Sequence, residues 1–73
     1  GERAVEQRQQ AERLHAVIDR LPPDRARAVR GHLAGLDVAE MMDLYEWSYQ
    51  RARNLVARGI ADVKAAMKES DRP

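Results

Sequence analysis

Apolar residues recur along the chain at helical spacing, in segments separated by short turns. In the first segment they follow the i, i+3, i+4, i+7 rule, which places them on one face of a helix: Leu14, Val17, Ile18 and Leu21. The Pro22–Pro23 pair ends the segment, because the residue before a proline is pushed out of the α region. The pattern predicts a helix over 11–21.

A second helix is predicted over 24–34, mainly from the residues at its ends. Pro23 suits the first turn, where its missing N–H would be unpaired in any case, and Asp24 is favourable near the positive end of the helix dipole. Gly35 is expected to end the helix in a left-handed conformation. The predicted buried side consists of Ala26, Val29 and Leu33, with the stem of Arg30 as a further candidate.

A short third helix is predicted over 38–45. Asp37 is the expected N-cap, and Glu40 three residues later gives an aspartate version of the capping box. The apolar face contains Val38, the two methionines Met41 and Met42, and either Leu44 or Tyr45.

The longest apolar pattern in the chain predicts a fourth helix over 48–68, with Ser48 as its N-cap. One face collects seven small or apolar residues: Ala52, Leu55, Val56, Gly59, Ile60, Val63 and Met67. A tight "YEW" turn joins the third and fourth helices, and the fourth is the longer and more basic of the two. Such a pair has the outline of a helix-turn-helix.

The sequence therefore predicts an all-α, small four-helix domain over residues 11–68. Residues 1–10 are polar and are expected to be a flexible extension, either a frayed helix start or disorder, and 69–73 a flexible tail. No apolar run approaches the length of a membrane helix and there is no cysteine, so a cytoplasmic domain without disulfides is expected.

The net charge of +1 conceals two opposite blocks. Residues 36–47 carry four acids and no base, whereas 48–60 carry three arginines and no acid. The acids recur every third residue and would form a slanting stripe on a helix: Asp37, Glu40, Asp43 and Glu46.

Catalytic chemistry is not indicated by any motif. His15 and His32 have no evident nucleophile partner, and the chain contains no HExxH, phosphate-binding glycine loop or paired carboxylates. We therefore expect neither an enzyme nor a cofactor or metal.

Several landmarks between Leu21 and Met67 occur in one uninterrupted register. "LPP" opens the segment, "HLAGLDVAEM" combines an apolar-Gly-Leu stretch with Glu and an apolar residue, and Ser48 precedes the last helix. "RARN", then Arg58–Gly59 and Val63, follow at fixed distances. With this register, about two thirds of the chain resembles region 4 of bacterial RNA polymerase sigma factors, especially the extracytoplasmic-function type.

The resemblance implies that the last helix reads promoter DNA in the major groove. Gln50, Arg53 and Asn54 would contact bases, and helix geometry agrees in part, because Gln50 and Asn54 point away from a buried face centred on Ala52. The residues implied to contact phosphate are Ser48, Tyr49, Arg51 and Arg58. The implied partners are double-stranded promoter DNA, the β flap of RNA polymerase core, and an anti-sigma factor or other regulator.

Four residues depart from the family pattern. Glu46 stands at a turn position that is usually Gly, Met42 replaces a small Ala, Trp47 replaces an aliphatic residue, and Tyr49 replaces a polar one. Trp47 and Tyr49 are predicted to pack against the turn, with exposure and stacking on a partner as the alternative.

The acidic stripe supports a rival hypothesis. Asp37 and Glu40 are explained by capping, but Asp43 and Glu46 are not, and acids that face phosphate would oppose DNA binding. The alternative is a sigma-like domain that acts mainly as a protein-interaction module, with weak or no DNA binding. Its expected partner surface consists of Asp43, Glu46 and Trp47.

Overall fold

The computed structural model describes residues 1–70, which form four helices and no strand. Helix α1 spans Glu2–Arg20, α2 Pro23–Leu33, α3 Val38–Tyr45 and α4 Tyr49–Ser70. The prediction of an all-α domain with four helices is confirmed for this part of the chain. Helix α4 runs past the expected end at 68, and residues 71–73 of the predicted tail lie outside the described residues. None of the described helices is long and apolar enough to cross a bilayer.

Helix α1 begins at Glu2, whereas the apolar pattern begins only at Leu14. Residues 1–12 are all exposed, so packing against the rest of the domain does not stabilise this first half of α1. Its residues are mostly Ala, Glu, Gln and Arg, which are good helix formers. Of the two alternatives for the N-terminal segment, the structure has the helical one.

Two apolar clusters hold the helices together, and α2 and α4 contribute to both. The first cluster joins α1, α2 and the C-terminal half of α4 around Ile18, Ala26, Val29 and Val63. The second cluster joins α2, α3 and the N-terminal half of α4 around Ala28, Met41, Trp47 and Ala52. The face of α4 opposite these clusters is therefore left to solvent.

The turn between α2 and α3 contains the predicted left-handed glycine and capping box. Gly35 has φ of 91°, and the Leu36 N–H donates to the Gly31 carbonyl at 2.9 Å, the long hydrogen bond of a Schellman motif. The Glu40 N–H donates to Asp37 Oδ1 at 2.8 Å, and the Asp37 N–H donates to Glu40 Oε1 at 3.2 Å. Both ends of this turn are thus fixed by local hydrogen bonds.

Leu33 was expected on the buried side of α2, and this was wrong: the residue is 56% exposed. The contact with α3 is made instead at Gly31, where a Cβ would lie 3.3 Å from side-chain atoms of both Leu36 and Met41. The missing side chain lets Met41 become fully buried against α2. Leu33, at the last residue of α2, lies beyond this contact.

The turn between α3 and α4 is closed by Glu46 in a left-handed conformation, with φ of 57°. The Trp47 N–H donates to the Met42 carbonyl at 3.2 Å, which repeats the hydrogen bond seen after α2. The Trp47 ring packs into the second cluster, 4.6 Å between centroids from the ring of Tyr45. Glu46 therefore occupies a conformation that usually requires glycine.

Replacing Glu46 by glycine is expected to stabilise the domain by about 0.5–1 kcal/mol. A left-handed conformation costs a residue with a Cβ roughly 1–2 kcal/mol, and the greater freedom of glycine in the unfolded chain offsets part of the gain. Urea denaturation followed by circular dichroism measures the difference. Glu46→Ala is the matched control, because it removes the same carboxylate and keeps the strain. Equal stabilities for the two variants would show that charge, not conformation, determines the effect.

The aromatic and aliphatic residues around this turn divide between interior and surface. Trp47 is 9% exposed, so its predicted packing is confirmed and its place in a partner surface was wrong. Tyr49 is 56% exposed, so the prediction that it packs against the turn was wrong. Leu44 is 62% exposed, whereas Tyr45 is half-buried. Of the two candidates for the apolar face of α3, it is therefore Tyr45 that packs inward.

Helices α2 and α4 approach closely at Gly59. A Cβ on Gly59 would lie 2.5 Å from Val29 Cγ2 and 3.3 Å from the Arg25 carbonyl oxygen, and both distances are shorter than ordinary van der Waals contact. The absence of a side chain at this position therefore sets how near α4 lies to α2. It also fixes which side of α4 is turned outward.

Candidate nucleic-acid interface

The N-terminus of α4 is held by Ser48. The Arg51 N–H donates to Ser48 Oγ at 3.1 Å, and the Ala52 N–H donates to the Ser48 carbonyl at 2.9 Å. Ser48 thereby has the predicted N-cap role, and Ala52 is fully buried at the centre of the face that meets the second cluster. The exposed first turn of α4 presents backbone N–H groups and the positive end of the helix dipole, a combination that favours an anion.

A depression of about 530 Å³ lies along one side of this first part of α4, and we call it the arginine depression. It brings together five of the residues predicted to contact DNA and adds one cation from α2. Its lining consists of Arg25, Ser48, Gln50, Arg51, Asn54, Leu55 and Arg58. The two arginines predicted to contact phosphate, Arg51 and Arg58, therefore share one concave surface.

A second, shallower depression of about 370 Å³ lies on the neighbouring side of α4. Arg53 reaches back along the helix there and donates to the Tyr49 hydroxyl at 3.1 Å. Its lining residues are Tyr49, Gln50, Arg53, Asn54 and Ala57. Gln50 and Asn54 line both depressions, so they form the ridge between them, with cations on either side.

Two arginines of the arginine depression are already paired with acids. Arg51 forms an ion pair with Asp24, whose other carboxylate oxygen accepts from Arg27 at 2.7 Å. Arg25 is 2.9 Å from Asp62. These pairs could not be predicted from the sequence, because their partners lie on different helices, α2 and α4, and helical spacing relates only residues of one helix. For the same reason, Arg25 of α2 was not among the residues predicted for this site.

The hydrogen bond from Arg51 is the main reason that the pKa of Asp24 lies below its ordinary value. Partial desolvation acts in the opposite direction, and Arg27 adds to the lowering. Any stability from this lowered pKa is present above the ordinary carboxyl pKa and is lost as pH falls through the lowered one. At neutral pH Asp24 is therefore an anion beside the depression.

All four residues of the acidic stripe are exposed. Asp37 and Glu40 form the capping box, whereas Asp43 and Glu46 make no ion pair with any described basic residue. Glu46 immediately precedes Trp47 and Ser48, so one carboxylate lies close to the start of α4. The stripe faces solvent and is not neutralised by the fold.

Both histidines lie at the surface of the domain. His15 and His32 are both exposed, and His32 lines a largely apolar depression with Leu33. Within residues 1–70, no group of three or more His, Asp or Glu side chains is placed to hold a metal ion.

No protein-family model, curated protein or solved structure matches this chain.

Proposed function

We propose that this chain is a sigma region 4-like helix-turn-helix domain that recognises promoter DNA, acting in the cytoplasm. Helix α4 is the recognition helix, and α3 with the Glu46–Trp47 turn is the supporting element. The observation that carries the proposal is the outward face of α4, where the amide side chains of Gln50 and Asn54 form a ridge between two groups of arginines. Amides pair with adenine edges and arginine with guanine or phosphate.

The size of helix α4 and the positions of its polar side chains agree with DNA recognition. A major groove admits one α-helix, and an exposed helix end with a serine cap offers N–H groups to a phosphate. Arg51 and Arg58 share a depression on one side of the ridge, as contacts to one strand would require. Arg53 and Tyr49 lie on the other side, where Arg53 is within reach of a base or the opposite strand.

Arg53→Ala is expected to weaken duplex binding about tenfold, because a good arginine–base contact contributes roughly 1–3 kcal/mol. The measurement is fluorescence anisotropy with a duplex selected from a random library at low salt, followed by a salt titration. Arg8→Ala is the control, since it removes the same charge from an exposed position in the first half of α1. Equal losses for the two variants, or no duplex affinity of the unaltered chain at low salt, would contradict the proposal.

A second candidate function is a protein-interaction module for RNA polymerase core, through its β flap, or for a regulatory protein. A specific observation favours it: α1, α2 and α4 surround a depression of about 210 Å³ whose lining is almost entirely apolar. Exposed Leu33 contributes to its edge, and Asp43 and Glu46 leave a separate charged surface on α3. A stable complex with core polymerase, together with no affinity for any duplex, would favour this function over DNA recognition.

A further inference from the structure

Asp24 is the second residue of α2, where its negative charge interacts favourably with the helix dipole. Its side chain also reaches α4. One carboxylate oxygen accepts from Arg51 and the other from Arg27. The same arginine, Arg51, lines the arginine depression with Ser48 and Arg58. The Asp24 carboxylate thus occupies an N–H group of Arg51 that would otherwise be available to an external anion.

We propose that Asp24 competes with a DNA phosphate for Arg51, so that the free chain holds this arginine in an internal ion pair that DNA must replace. The inference rests on the proposed DNA-binding function and names a regulatory contact within that site. Carboxylate and phosphate oxygens are the two acceptor groups that the guanidinium fork fits best. A phosphate that approaches Arg51 therefore meets both an occupied donor and the repulsion of the Asp24 carboxylate.

The exchange is feasible because the pair is accessible to solvent. More than half of the Arg51 side chain is exposed, and exposed ion pairs stabilise proteins by only a small amount. Arg51 can leave Asp24 without loss of the packing between α2 and α4, which depends on Val29 and Gly59. Arg27 remains on Asp24 after the exchange, so the carboxylate keeps a partner.

Asp24→Asn tests the competition when it is compared with Asp19→Asn. Asp19 is likewise paired with an arginine, Arg30, although its side chain is more exposed than that of Asp24, and neither Asp19 nor Arg30 lines the arginine depression. Both changes add one unit of positive charge, so the two variants have the same net charge. We expect Asp24→Asn to bind a mixed-sequence duplex at low salt about fivefold more tightly than the unaltered chain, and Asp19→Asn less than about twofold.

The same pair of substitutions in an Arg51→Ala background completes the experiment. If Asp24 acts through Arg51, the gain from Asp24→Asn falls to that of Asp19→Asn when Arg51 is absent. Equal gains in the unaltered background, or a gain that persists without Arg51, would overturn the competition while leaving DNA binding intact. If circular dichroism shows every variant folded and none binds duplex, the proposed function fails as well.

Discussion

Trp47→Ala is expected to destabilise the domain by about 3–5 kcal/mol, the usual cost of deleting a buried tryptophan or phenylalanine side chain. Trp47 is the largest side chain in the second cluster, and it packs there against Tyr45 from its position in the turn. Small domains have total stabilities near the lower end of about 5–15 kcal/mol, so the variant should retain only about 0–2 kcal/mol and be marginally folded at ambient temperature. Thermal and urea denaturation followed by circular dichroism measure the change.

Leu44→Ala provides the matched control for this substitution. Leu44 is a large apolar residue three positions earlier, on the exposed side of α3. Its loss should change stability by less than about 0.5 kcal/mol. If the two variants lost similar stability, Trp47 could not be the residue that anchors the turn to α2 and α4.

Gly59→Val is expected to cost about 3 kcal/mol, because it places a Cβ and two methyl groups where Val29 and the Arg25 carbonyl already lie. Helix propensity does not offset this cost, since valine is only slightly better than glycine in a helix. Denaturation curves should shift to lower urea, and duplex binding should weaken to the extent that α4 is displaced. Ala61→Val, at an exposed position of the same helix, should cost no more than roughly 0.5 kcal/mol. A small effect at Gly59 would mean that α2 and α4 separate without penalty.

Helix positions and turns could be predicted from the sequence wherever the signal is local. The bounds of α3, its capping box, the left-handed Gly35 and the Ser48 cap all depend on residues within a few positions of one another. The start of α1 could not, because the prediction relied on an apolar face and residues 2–12 are helical without one.

Tertiary contacts were the part that the sequence did not reveal. Leu33 follows the apolar spacing of α2 and was therefore expected to be buried. The second cluster instead contacts α2 at Ala28 and Gly31, because Met41 of α3 packs closely against that side of the helix. In the candidate interface, the shared position of Arg51 and Arg58 agrees with their separation of seven residues, about two helical turns. The pairing of Arg51 with Asp24 could not be predicted in this way, because it depends on how α2 and α4 cross.

The close approach at Gly59 also bears on how the chain folds. Helices of this length form within about a microsecond, whereas the Val29–Gly59 contact requires closure of a loop that contains all of α3. The entropy lost in that closure rises with the length of flexible chain. If the capped helix α3 and its two hydrogen-bonded turns form first, less of the loop is flexible and the entropy lost on closure is smaller. We therefore expect the docking of α4 on α2 to limit the folding rate, with the short α3 acting as a preformed spacer.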